Sequence, residues 1–114
     1  MSGKIQIINP EDLNFTEQDD GVKTRKLATK ASGSTRISFE QGILPAGLEA
    51  EGIVYEGFDE LVYVITGKGE ITVDGQKRTV GPGSFFFVPD GAPYDFKVIE
   101  GPVDLVAAFS PPHD

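Results

Sequence analysis

Two stretches decide the fold: Gly47–Gly67 (GLEAEGIVYEGFDELVYVITG) and Gly83–Tyr94 (GSFFFVPDGAPY). In the first, Leu61–Ile65 (LVYVI) is apolar at every position, which predicts a strand buried on both faces. In the second, Phe85–Val88 is a short apolar run closed by the turn cluster Pro89-Asp90-Gly91-Ala92-Pro93. Between them, Glu70–Val73 and Lys77–Val80 flank Asp74-Gly75, a pair that accepts the positive φ angles of a type I′ hairpin turn. Gly67-Lys68-Gly69 and Gly81-Pro82-Gly83 read as turns between strands.

The same pattern extends on both sides. Arg36–Glu40 sets Ile37 and Phe39 against Arg36, Ser38 and Glu40, a period of two. Leu48–Tyr55 is extended, and Tyr94–Ile99 and Val103–Phe109 are two further strands before Pro111-Pro112. Upstream, Ile5, Ile7 and Ile8 predict a short strand stopped by Asn9-Pro10, and Pro10 favours a helical turn after it. Val22–Leu27 reads as a strand and Thr29–Thr35 as a loop. Helical periodicity is nearly absent. Strands at close, even spacing with Gly and Pro turns predict an all-β sandwich or barrel.

A chain of 114 residues with this composition makes one folded domain. It contains no cysteine and a single histidine, His113. Disulfides, Cys-based metal sites, thiol nucleophiles and multi-histidine sites within one chain are thereby excluded. His113 reads as a residue of a tail, so no serine–histidine pair for acyl transfer is expected. The formal net charge of −8 argues against nucleic acid as a partner. No apolar run has membrane-spanning length and the opening residues lack a signal-peptide pattern, so no membrane partner and a cytoplasmic location are expected. The charge is unevenly placed. Lys23, Arg25, Lys26, Lys30 and Arg36 cluster, whereas Ile37–Gly67 carries six acids and no base. One reading is two solvated faces; the other has an acidic strand lining a cavity with Arg36 or Lys23 facing it.

Two spacings carry a family resemblance. The first is Gly47, five residues, Ile53, one residue, Tyr55, four residues, Glu60, six residues, Gly67; the second is Gly83, five residues, Pro89, one residue, Gly91, two residues, Tyr94. They resemble the two motifs of the cupin superfamily, over about residues 36–109. The strand and turn sequences are also similar to the barrel of ethanolamine-utilisation cupins. The resemblance implies a double-stranded β-helix (cupin jelly-roll barrel) over residues 36–114, with residues 1–35 as a strand-and-loop arm packed on it. It also implies a homodimer and a cavity between the sheets, and Ile5, Ile7 and Ile8 are placed to pair with the partner subunit.

The motif's three histidine positions hold Ile53, Tyr55 and Tyr94, and only its glutamate, Glu60, is kept. A three-residue spacer would instead place Val54 and Glu56 at the first two positions. The first register is preferred because it also satisfies the gap after Gly47. Alternation in that register turns Glu49, Glu51, Ile53 and Tyr55 to the cavity. Isoleucine offers no lone pair, and a phenol is a poor ligand below its pKa near 10. No cofactor is therefore expected, a divalent transition metal being the alternative.

What remains is metal-free acid–base chemistry. Glu60 in an apolar barrel has its pKa raised by desolvation, and Tyr55 and Tyr94 can donate hydrogen bonds to a developing enolate oxygen. The sequence thus predicts a lyase or isomerase acting on a polar, carbonyl-bearing small molecule, with Glu60, Tyr55 and Tyr94 as catalytic residues. Arg36, Glu51, Phe86 and Phe96 are the expected ligand-binding residues. The alternatives are a non-catalytic binding module for a sugar or small anion, an atypical metal enzyme, and a filled barrel in which Glu60 is structural.

Overall fold

The structure, a computed structural model, describes residues 4–114. The first three residues of the expected arm lie outside it. Eight antiparallel strands follow a single 3-10 turn at Pro10–Asp12: β1 (Thr16–Glu17), β2 (Lys23–Ala28), β3 (Ser38–Leu44), β4 (Glu49–Ile53), β5 (Asp59–Val73), β6 (Gln76–Val80), β7 (Phe85–Val88) and β8 (Tyr94–Ser110). Among the described residues no helix is long and apolar enough to cross a membrane.

Two long strands organise the barrel. Residues 59–66 of β5 lie between β7 and the second half of β8, which in turn pairs with β3. Residues 69–73 of β5 lie between β6 and the first half of β8, which pairs with β4. Both strands therefore pass from one sheet to the other, and the sheets face each other as a jelly roll. The all-β cupin architecture expected from the motifs is the architecture found.

The crossing of β5 corrects one expectation. Gly67-Lys68-Gly69 is not a turn between separate strands but the bent middle of β5, with register shifts between Val64 and Gly69. A bulge bends a strand without ending its pairing. Gly67 takes φ +87°, and a Cβ there would stand 2.5 Å from the carbonyl oxygen of Pro102. The backbone approach leaves no room for a side chain. The Asp74-Gly75 hairpin forms as expected, with φ 50° and 75° and Val73 opposite Gln76.

The core lies between the sheets. Val64, Val103 and Phe109 are its most enclosed large side chains, joined by Val62, Ile71, Phe96 and Val98. Leu61–Ile65 alternates in the structure: Val62 and Val64 are buried, whereas Leu61, Tyr63 and Ile65 are 40–47% exposed. The expectation of burial on both faces fails because the strand belongs to a two-sheet sandwich that packs only its inner face. Outside, Leu61 stands opposite Phe87 and Tyr63 opposite Phe85, leaving a ribbon of uncovered apolar side chains.

The arm is tied in mainly by β2, which pairs with β3. The strand expected at Ile5–Ile8 does not form. These residues have no ladder partner among the described residues, and Ile5 and Ile7 are 94% and 88% exposed.

Candidate functional site

Strand β4 brings the first motif to the cavity, and a bulge decides which residues arrive. Ala50 pairs with Phe96 and Ile53 with Tyr94, so two residues of β4 oppose one of β8. Gly52, at φ +63°, absorbs the extra residue, and its N–H donates to Asp95 Oδ1 at 2.8 Å. The bulge resets the alternation. Leu48 and Ala50 face inward before it, and Ile53 and Tyr55 face inward after it.

Glu49 and Glu51 are therefore on the outer face, contrary to expectation, and Glu49 pairs with Lys97 there at 3.3 Å. Glu51 does not line the cavity. Nor does Arg36, which precedes β3, is exposed, and uses its carbonyl to accept a bond from Ser110 Oγ. Lys23 is exposed beside Glu17. Lys26 is the base that reaches the cavity, 3.8 Å from Glu40.

The cavity has a volume of about 380 Å³. Phe86 and Phe96 line it, their rings stacked 6.3 Å apart. Strand β5 contributes Glu60, 4% exposed, and β8 contributes Tyr94, 7% exposed. The Tyr94 hydroxyl donates to Glu60 Oε1 at 2.8 Å. Tyr55 lines the same space, and its hydroxyl has no partner among the described residues. The structure thus brings together Glu60, Tyr55, Tyr94, Phe86 and Phe96 and leaves Glu51 and Arg36 outside. A larger groove of about 690 Å³ runs along β6 and β7; it shares Phe86 and Tyr94 with the cavity, but Glu60 does not line it.

Desolvation shifts Glu60, Tyr55 and Tyr94. Burial pushes the Glu60 carboxyl up to about 7, opposed by the Tyr94 hydrogen bond and assisted by the charge of Glu40. Burial raises the Tyr55 hydroxyl to about 12, with Glu60 and Glu40 adding to it. Burial and the negative charge of Glu60 raise Tyr94 as well. Both phenols therefore stay protonated near neutral pH and act as O–H donors, while Glu60 populates both its forms.

Such a set does not fit the divalent metal that the family's histidine motif implies. Two neutral phenols and an isoleucine replace its imidazoles, and no cluster of three His, Cys, Asp or Glu is arranged to hold an ion among the described residues.

Several cavity residues escaped the sequence reading, Glu40, Lys26 and His113 among them. Glu40 and Lys26 come from β3 and β2, and His113 folds back over the barrel against Tyr55, Phe58 and Phe109. The signal for Glu40 was present but inverted. In β3 Ser38 and Glu40 point inward, and Ser38 is 4% exposed while Phe39 is only half-buried. No local signal marks His113, because its place depends on a reversal after Pro111-Pro112.

Comparisons with known proteins agree with this architecture. The KdgF structure from Halomonas sp. superposes with a TM-score of 0.87 at 19% identity, covering 97% of each chain. Ectoine synthase from P. lautus gives 0.82 at 24% identity, over 96% of this chain and 80% of that one. A structure described as ethanolamine utilization protein Q from Salmonella typhimurium gives 0.74 at 17% identity, over 100% and 93%. At these identities the likeness is one of fold. An uncharacterised protein of Streptomyces coelicolor is 35% identical over 54 residues, 47% of this chain, and the match spans about half (51%) of that protein's length. The cupin domain model matches residues 43–109, more than half of the chain and both motif stretches. The chain belongs to the cupin family.

Proposed function

We propose that the Glu60 cavity is the active site of a small metal-independent cupin enzyme of lyase or isomerase type. Its substrate is a polar, carbonyl-bearing small molecule. The observation that carries this reading is a buried carboxyl, hydrogen-bonded by one phenol beside a second, on the wall of a cavity of about 380 Å³. That volume suits a small metabolite.

The chemistry follows from the residues. As a carboxylate, Glu60 takes a proton from the carbon beside the carbonyl. The electrons of that C–H bond move toward the carbonyl oxygen. Tyr55, whose hydroxyl is unengaged, donates to that oxygen, and Tyr94 shares its hydroxyl between Glu60 and the substrate. Glu60, now protonated, returns the proton to another carbon in an isomerisation or protonates a departing hydroxyl in an elimination. A raised pKa near neutrality suits a group that must both take and give a proton. Phe86 and Phe96 exclude water and hold the apolar part of the ligand. Kinship of fold with ectoine synthase supports an enzymatic use of this barrel.

A library of carbonyl metabolites, screened by thermal shift and then by NMR for product, tests the reading. Glu60→Gln should reduce turnover by a factor on the order of 100 to 10,000, with smaller losses for Tyr55→Phe and Tyr94→Phe. A ligand that binds without ever being converted would make the protein a binding module. Full turnover by Glu60→Gln would remove Glu60 from the mechanism.

A further inference from the structure

His113 is held over the cavity by more bonds than a loose tail would make. Its backbone N–H donates to Ser38 Oγ at 2.8 Å. Lys26 Nζ donates to its carbonyl at 3.3 Å, and the Lys30 N–H donates to Asp114 Oδ2 at 2.7 Å. Each of these bonds fixes the segment and none uses the imidazole. The ring itself sits edge-on to Tyr55 and Phe58, centroids 5.1 and 4.8 Å away, and is tilted on Phe109 at 4.8 Å. It lines the cavity that Glu60 and Tyr55 line.

The ring nitrogens are not spent on the fold. Nδ1 is enclosed and has no hydrogen-bond partner, and no partner for Nε2 is present among the described residues. An enclosed N–H without an acceptor costs more than an enclosed lone pair among aromatic edges. The proton of the neutral ring therefore belongs on Nε2, the nitrogen that is not enclosed. Packing on three aromatic rings fixes the direction of that N–H in advance.

We infer that His113 is a ligand-contacting residue of the Glu60 cavity, its imidazole held in place by the folded-back 111–114 segment to donate a hydrogen bond to the bound molecule. The ligand then carries at least two oxygen functions, one meeting Glu60 and one accepting from His113. This inference rests on the reading of the cavity as a ligand site.

The chain's single histidine makes the test direct. Protein labelled with ¹⁵N is titrated with acetohydroxamate, a small enolate mimic with two adjacent oxygens, while the imidazole ¹⁵N signals are followed. The expected result is a saturable shift of the Nε2 signal, and binding of the probe weakened about tenfold in His113→Phe, the worth of one hydrogen bond. Probe binding that depends on Glu60, with the imidazole signals unmoved and His113→Phe unimpaired, would overturn the inference and leave the proposed site standing. If acetohydroxamate does not bind at all, the proposed site loses its support and the inference, which rests on that site, falls with it.

Discussion

The Tyr94 hydroxyl donates a 2.8 Å hydrogen bond to Glu60 Oε1, inside a barrel where both residues are buried. The bond lowers the Glu60 pKa while burial raises it, and burial prevails, leaving the carboxyl at about 7 against an ordinary 4.5. A buried carboxyl with a raised pKa couples folding to pH with a definite sign. The folded state holds the proton more tightly than the unfolded chain. The stabilisation is fully present below about pH 4.5 and is lost as pH rises through about 7.

The first expectation concerns that slope. Between pH 4.5 and 7.5 the Glu60 contribution should fall by roughly 3 kcal/mol, because each tenfold difference in proton affinity between the folded and unfolded chain is worth about 1.4 kcal/mol. Glu60→Gln should flatten the dependence by that amount and equal or exceed the wild type in stability at pH 8. Denaturant melts of both proteins across this range measure the difference, in which the other carboxylates cancel.

Removing the donor should push Glu60 further toward its neutral form. In Tyr94→Phe the ring keeps its edge contact with Phe86, 5.7 Å between centroids, and only the hydroxyl is lost. The Glu60 pKa should rise above its wild-type value, because the bond that lowers it is gone. Carboxyl ¹³C shifts followed against pH report this directly. An unchanged midpoint would mean that the hydroxyl does not hold the carboxylate in solution.

Metal content is a third check. The motif positions offer Ile53, Tyr55, Tyr94 and Glu60, a donor set too weak for a transition metal at neutral pH. Purified protein should carry well under one such ion per chain by elemental analysis. A stoichiometric ion that survives chelation, with activity tracking it, would restore the metal-enzyme alternative.

Assembly is a fourth. Phe85 and Phe87 are 70% and 59% exposed and stand opposite Tyr63 and Leu61 on the outer face of the barrel. A sheet face this apolar is costly in water. A homodimer of about 24 kDa, twice the 12.2 kDa chain, is expected by light scattering at micromolar concentration. Phe87→Asp should shift it toward monomer if this ribbon is the interface. A dimer indifferent to that change would move the interface elsewhere, Ile5 and Ile7 being the most exposed of the large apolar residues.

The local chemistry of the chain already contained most of the barrel strands, the Asp74-Gly75 hairpin, the motif glycines and the identity of Glu60, Tyr55 and Tyr94, although Tyr94–Ile99 and Val103–Phe109 are one continuous strand and Ile5–Ile8 is none. Turn residues and two-residue alternation act over a few positions, and the spacing of the glycines is legible without coordinates. Alternation misled where a bulge intervened. Gly52 resets the face of β4, which sends Glu51 to solvent while keeping Ile53 and Tyr55 inside. Gly67 turns what reads as two strands into one bent strand, because its close approach to Pro102 depends on a residue 35 positions away. Only the tertiary structure could place Glu40, Lys26 and His113 around Glu60. Their positions are set by pairing of distant strands and by a reversal after Pro112, and contacts between residues far apart in the chain leave no periodic trace in it.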